Sequence, residues 1–210
     1  MQSDDTNQGN LPRRKVLGVM VSVTGAAALL GLNAVSAQAS DTHDPSAPDA
    51  LFAQARLRNY KTRRSSSWDR TGGNRDSVPV EPGATATILD VAGAGVVTHI
   101  WFTIASQDPM HLKNLVVRAW WDGESTPSVE VPIGDFFGLG LGEYFTYQSS
   151  LTAVASIKAL NAYFQMPFST AAKITVTNEG AVRTNALYFA VDYVTLPGLP
   201  ADLGLSLIHI

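Results

Sequence analysis

Val96-Val97-Thr98-His99-Ile100-Trp101-Phe102-Thr103-Ile104 alternates at a period of two, and that alternation decides the fold class. Val96, Thr98, Ile100, Phe102 and Ile104 fall on one face of an extended segment, with Val97, His99, Trp101 and Thr103 on the other, so both faces carry bulk. Residues 115–121 repeat the pattern, Asp122-Gly123 follows, and residues 128–133 resume it. Asp-Gly favours the type I′ turn whose twist matches its flanking strands, so this pair reads as a hairpin. Further β-rich runs cover residues 85–91, 162–167, 173–178 and 187–194, each bounded by Gly, Pro, Asn or Ser, with 78–80 and 145–149 as weaker candidates. Together they make roughly eight short strands over residues 78–196, with no crossover helices between them. Parallel pairing needs connections of about a dozen residues or more, which excludes a parallel α/β fold. The expected class is all-β, an antiparallel jelly-roll β-sandwich.

The 210 residues suit one large domain or two small ones once any targeting segment is set aside. Hydrophobic residues at 45% against charged residues at 16% exclude intrinsic disorder, and 17 Gly with 11 Pro at no fixed period exclude a collagen-like chain. A net charge of −3 lacks the basic excess that would neutralise a phosphate backbone, so no nucleic-acid partner is expected. Cysteine is absent and the four histidines form no close pair. Thiol catalysis, disulfides and Cys-type zinc sites are thereby excluded, and neither a metal nor a cofactor is expected.

Arg13-Arg14-Lys15 precedes residues 16–39, which carry no charge, and Ala37-Gln38-Ala39 supplies a small-residue cleavage pattern. Residues 1–39 therefore read as an export signal cleaved after Ala39, with paired arginines like those of the twin-arginine signal. An ordinary secretory signal or an uncleaved anchor helix is the alternative. Either places the folded part in the periplasm, at the cell surface or outside the cell, with membrane contact only through the signal. Residues 40–54 form a flexible lead-in and the start of a short helix over 50–58, capped by Asp49, with Leu51, Phe52 and Ala55 on one side.

The densest polar cluster runs from Ser65 through Trp68, Asp69, Arg70, Gly72, Gly73 and Asn74 to Asp76. Its mixed donors and acceptors suit sugar hydroxyls, Gly72-Gly73 lets a ligand approach the backbone, and Trp68 offers a stacking face. A hydrogen-bonded turn capping the sandwich explains the same residues, and both readings stand. A phosphate loop does not fit, because no Gly-Lys-Ser/Thr follows. In Pro132-Ile133-Gly134-Asp135-Phe136-Phe137-Gly138, one acid sits among apolar neighbours, as a substrate ligand or as a structural carboxylate. Asp122 and Glu124 are explained by the exposed hairpin turn. Among the strand tryptophans only Trp101 is put forward for a sugar site, because strand aromatics are most often core. His99 reads as a satisfied histidine inside a sheet. No nucleophile elbow supports a Ser-His-Asp reading.

Read together, residues 64–76, His99-Ile100-Trp101, Trp121-Asp122-Gly123-Glu124, residues 131–138 and Asn161-Ala162-Tyr163-Phe164-Gln165-Met166-Pro167-Phe168 resemble one family. It is the domain-of-unknown-function family 2961, now treated as glycoside hydrolase family 172. The resemblance covers about residues 55–196. It implies a protomer of two jelly-roll domains, of which residues 55–200 here are the first, assembled as homotrimers or multiples of them with the active site near a protomer interface, and a carbohydrate substrate. The implied activity is exo-acting hydrolysis of α-D-fructofuranosyl or D-arabinofuranosyl residues, with retention at the anomeric centre and two glutamates as nucleophile and acid/base. Those glutamates belong to Gly-Glu-Gly-Asp and Thr-Glu-Asp-Tyr-Phe motifs, neither of which occurs in this sequence, so no catalytic residue is assigned. The residues that the resemblance leaves as substrate-binding candidates are Asp69, Arg70, Asn74, Asp76, Trp101, Asp135 and Phe137. Residues 205–210 resemble a translated sequencing adaptor and are expected to be a non-native tail on a truncated, inactive reading frame. The competing class is a non-catalytic jelly-roll module that binds glycans or builds an assembly.

Overall fold

A computed structural model describes residues 60–199 and 208–209, all within one folding unit, residues 56–210. The export segment, the lead-in and the helix expected over 50–58 lie outside the described residues, as do residues 205–207 and 210 of the tail. The described chain forms β1 (Lys61–Ser66), β2 (Val78–Val80), β3 (Thr85–Ala92), β4 (Gly95–Ser106), β5 (Leu115–Trp121), β6 (Val129–Pro132), β7 (Tyr147–Gln148), β8 (Thr152–Val154), β9 (Leu160–Ala162), β10 (Met166–Phe168), β11 (Ala171–Asn178), β12 (Thr184–Thr195) and β13 (Ile208–His209). Two single-turn helices, α1 (His111–Asn114) and α2 (Ile133–Phe136), precede β5 and follow β6.

The strands build an eight-stranded sheet and a five-stranded sheet. In the first, β1, β12, β4, β9, β8 and β7 lie in that order; β2 also pairs with β12, and β10 with β4. The second runs β13, β6, β5, β11, β3. Pairing is antiparallel throughout except between β13 and β6. Taken in chain order, β2, β3, β4, β5, β6, β10, β11 and β12 change sheet at every connection but the β5–β6 hairpin. That is the jelly-roll path expected from the sequence, with β2-β12-β4-β10 facing β3-β11-β5-β6.

Between the sheets, Val97, Ile100 and Phe102 of β4 and Leu187, Phe189 and Val191 of β12 meet Leu115, Val117, Ala119 and Trp121 of β5 and Ala172, Ile174 and Val176 of β11. Each fully buried side chain of this size contributes about 1.5–3 kcal/mol. One residue breaks the alternation expected for β4. Asp192 pairs with His99 while Tyr193 pairs with Val97, so Thr98 is the extra residue of a β-bulge. The bulge moves Val97 to the core face with Ile100 and Phe102 and leaves His99 and Trp101 together on the outward face. The expectation that Val97 shares a face with His99 is corrected accordingly.

The hairpin is present, with Val117 opposite Val131 and Ala119 opposite Val129. Asp122 and Gly123 have φ of 54° and 81°, and the Glu124 N–H closes the turn on the Trp121 carbonyl at 3.0 Å, as a type I′ turn requires. The connection then runs on to Ser128, wider than a two-residue loop, before its N–H bonds the Ala119 carbonyl. Three further differences share one cause, that short strands are made by their partners. Ser65 and Ser66, read as loop, end β1 against β12. Residues 162–167 form parts of two strands, β9 and β10, and β8 pairs with both β7 and β9.

Candidate functional site

The bulge in β4 sets up an outward face with a continuous polar chain. Arg64 on β1 lies opposite Asp192 on β12, which lies opposite His99 on β4. The Arg64 guanidinium donates to both carboxylate oxygens of Asp192, from Nε at 2.6 Å and from Nη2 at 2.8 Å. His99 Nδ1 is 3.2 Å from Asp192 Oδ2, and His99 Nε2 is 3.1 Å from Asn161 Oδ1 on β9. Asn161 Nδ2 donates to the Ala159 carbonyl, which fixes the side-chain amide so that its oxygen faces the imidazole. Hydrogen bonding to Arg64 holds the Asp192 carboxyl below its ordinary range; burial opposes this and His99 adds to it.

Aromatic surface borders this chain. Tyr163 stacks on His99 with ring centroids 4.8 Å apart and an interplanar angle of 8°, and 43% of Tyr163 is exposed. Trp101 is the next outward residue of β4, opposite Ala190 on β12 and Asn161 on β9. Beyond these lie Ser66 and Ala153, so the half-buried indole stands among small side chains. Tyr188, opposite Thr103, continues the face. An indole beside an amide, an imidazole and a guanidinium–carboxylate pair offers a flat apolar surface with donors and acceptors at its rim.

The loop over residues 67–77 leaves the sheet beside this face. The Ser67 N–H donates to the Phe189 carbonyl and the Phe189 N–H donates to Ser67 Oγ, one residue from Trp101's neighbour Ala190. Ser67 Oγ in turn donates to the Asp76 carbonyl. Asp69 folds back on the loop: Oδ1 accepts from the Thr71 N–H and hydroxyl, and Oδ2 from the Arg75 N–H at 3.1 Å. The Thr71 hydroxyl and N–H, then the Arg75 N–H, hold its carboxyl below the usual range. The Asp69 N–H donates to Asp76 Oδ1 at 2.8 Å. A Cβ on Gly73 would lie 2.6 Å from Asp69 Oδ2, which is why the turn closes on glycine. Asp69 and Asp76 thus brace the loop, whereas the exposed Arg70, 5.8 Å from the Trp68 ring, and the exposed Asn74 are turned to solvent. Asp69, Thr71, Asn74, Arg75 and Ser77 line an open concavity of about 630 Å³.

The other two candidates sit elsewhere. Asp135 on α2 accepts from Lys113 Nζ on α1 at 2.5 Å, so its role in the structure is an ion pair joining the two single-turn helices. Phe137 is fully buried, edge-on to Phe102 and Phe136 at 5.6 and 5.0 Å, and packs the core where a sugar has no access. Of the seven candidates, then, the structure brings Asp69 and Asn74 into one concavity, places Trp101 on the neighbouring sheet face, and separates Asp135 and Phe137 from both.

Glu130 and Glu179 both accept from Arg118 Nη2, at 2.6 and 2.5 Å. The Arg118 guanidinium fills the space between the two carboxylates, where a retaining glycosidase would hold the anomeric carbon. Among the described residues no group of three His, Asp or Glu side chains is placed to hold a metal ion. Sequence reasoning passed over Arg64, His99, Asn161, Tyr163 and Asp192 as site residues. Four of them lie in stretches already quoted; Asp192 carries only the signal of a lone acid alternating outward with Leu187, Phe189 and Val191.

The family described as GH172 domain-like matches residues 72–190, a span containing Asn74, Asp76, Trp101, Asp135 and Phe137. No curated protein matches the sequence. Among solved structures, the infectious bursal disease virus VP2 subviral particle superposes at a TM-score of 0.35 with 10% identity, over 66% of this chain and 33% of that one. A serine protease of Aeromonas sobria superposes at 0.30 with 9% identity, over 69% of this chain and 28% of that one. This chain thus spans about a third of the viral protein's length, and superpositions this loose carry no weight for function.

Proposed function

The chain belongs to the GH172 domain-like family, a group related to glycoside hydrolases, and from that premise we propose that its outward sheet face binds furanosides. The ligand class is α-D-fructofuranosyl or D-arabinofuranosyl residues, taken at a chain end. The observation that carries this reading is the Trp101 face, with its rim of Asn161, His99, Asp192 and Arg64. A furanose ring would lie its C–H side on the indole, as apolar surface stacks on aromatic faces. Its hydroxyls would meet Asn161 and, from the loop, Arg70 and Asn74. Arg64 keeps Asp192 ionised, and Asp192 orients the imidazole, so Arg64 and Asp192 are positioning residues.

Retaining hydrolysis needs two carboxyl groups roughly 5–5.5 Å apart across the glycosidic bond. The two glutamate motifs implied by the resemblance do not occur in these 210 residues. We therefore assign the domain to substrate binding in an exported, retaining exo-furanosidase that works as a homotrimer or a multiple of one, with the chemistry supplied by glutamates outside this sequence. Incubation with p-nitrophenyl α-D-arabinofuranoside and with difructose anhydride tests the assignment. Saturable binding without release of p-nitrophenol is expected, weakened about tenfold or more by Trp101→Ala. Turnover by the 210 residues alone, or equal affinity for the corresponding pyranosides, would contradict it. The second reading, a glycan-binding or assembly module in a protein without hydrolysis, predicts the same binding and loses to the first if added native glutamate-bearing sequence confers turnover.

A further inference from the structure

We propose that the outward face of the five-stranded sheet carries a second, non-catalytic saccharide site centred on Trp120. Trp120 on β5, Lys173 on β11 and Asp90 on β3 form one row across three strands, Trp120 opposite Lys173 and Lys173 opposite Asp90. This row and the Gly123–Glu124 turn border a concavity of about 320 Å³, a volume suited to a sugar ring or two. Its walls are pre-formed. Asp122 Oδ1 accepts from the N–H groups of Ser169, Thr170 and Ala171 at 2.8, 2.6 and 3.2 Å, tying the turn before β11 to the hairpin. Glu124 Oε2 accepts from Ser128 Oγ. Ala171 and Gly123, both small, line the concavity beside the indole.

The chemistry selects the ligand class. Lys173 Nζ lies over the Trp120 ring, 5.9 Å from its centroid, at the outer limit of a cation–π contact. The ring already has its cation, and a second would be repelled by it; an anion would meet Asp90 and Glu124. A neutral polyol fits both conditions, with hydroxyls donating to the carboxylates and accepting from the ammonium, and C–H groups on the indole. The choice of furanosides as ligand rests on the reading above, while the site itself does not, since Trp120 and Trp101 lie on opposite faces of the sandwich.

Isothermal titration calorimetry of the 210-residue chain with a D-arabinofuranosyl tetrasaccharide decides it. Two sites per chain are expected, reduced to one by Trp120→Ala and to one by Trp101→Ala. A single site abolished by Trp101→Ala and untouched by Trp120→Ala overturns the second site and leaves the first standing. A single site abolished only by Trp120→Ala does the reverse, and no binding at all overturns both. Should far-UV circular dichroism show Trp120→Ala unfolded, the double variant Asp90→Asn with Lys173→Gln takes its place. It is expected to weaken the second site about tenfold, and unchanged affinity overturns the proposal.

Discussion

On the outward face of the eight-stranded sheet Arg64 bonds one carboxylate, Asp192, which passes the contact on to His99 and Asn161. On the outward face of the five-stranded sheet Arg118 bonds two carboxylates, Glu130 and Glu179, and the chain of contacts stops there. The two clusters use similar residue types and differ in where they end. The first ends at an amide and an imidazole beside exposed aromatic surface; the second closes on itself between strands. Charge clusters on a sheet surface therefore need to be followed to their last partner before a role is assigned. One that ends in an amide and an imidazole beside an indole can hold a ligand, and one that closes between strands holds the sheet.

Substitutions separate the shared core from the two faces, from the largest expected effect downward. Phe137→Ala removes a fully buried ring that both faces depend on and is expected to cost about 3–5 kcal/mol in urea unfolding, with furanoside affinity unchanged in the folded fraction. An affinity loss larger than the unfolded fraction explains would return Phe137 to the binding site. Asp122→Ala strips three backbone N–H groups of their acceptor and is expected to cost about 1–3 kcal/mol. On the first face, Asp192→Asn removes the negative charge and one of the two oxygens that serve Arg64 and His99, for an expected loss of about 1–2 kcal/mol and weaker furanoside binding. Glu179→Gln on the second face, where Arg118 keeps Glu130, should stay within about 0.5 kcal/mol and leave binding unaltered. Equal losses in these two variants would erase the contrast between the faces.

Acid sharpens the same contrast. The Asp192 carboxyl lies below its ordinary value because of Arg64, with burial opposing and His99 assisting. At Asp122 burial raises the carboxyl, and the three N–H donors outweigh it to leave it lowered. A depressed carboxyl contributes stability that is fully present above its unfolded value, near 3.9, and lost as pH falls through its folded value. Thermal unfolding from pH 6 downward is expected to lose stability more gently in Asp192→Asn than in wild type. A parallel pair of curves would mean that Arg64 contributes nothing through that carboxylate.

Local signals in the sequence reached the architecture, and of the Trp101 face they singled out only Trp101. Period-two alternation marked β3, β4, β5, β11 and β12, and Asp122-Gly123 marked the hairpin turn, because each depends only on neighbours along the chain. Lys61–Ser66 escaped because an edge strand of polar residues has no hydrophobic period to read. The bulge at Thr98 escaped because it exists only in register with β12, and one extra residue reverses every later side chain. The Arg64–Asp192 and His99–Asp192 contacts span 128 and 93 residues, beyond any local pattern. Asp69 and Asp76 looked like ligands because bracing a loop and binding a sugar use the same acceptors; only the placed N–H groups of Thr71, Arg75 and Asp69 tell them apart.

The central claim, that a furanoside lies on the Trp101 face, is tested most directly by following the indole N–H resonances of Trp68, Trp101, Trp120 and Trp121 in a ¹H–¹⁵N correlation spectrum while difructose anhydride is added. The account predicts that Trp101 shifts in a saturable manner and that the core residue Trp121 does not move. A Trp101 resonance that stays in place under saturating ligand, with the protein folded, would contradict it.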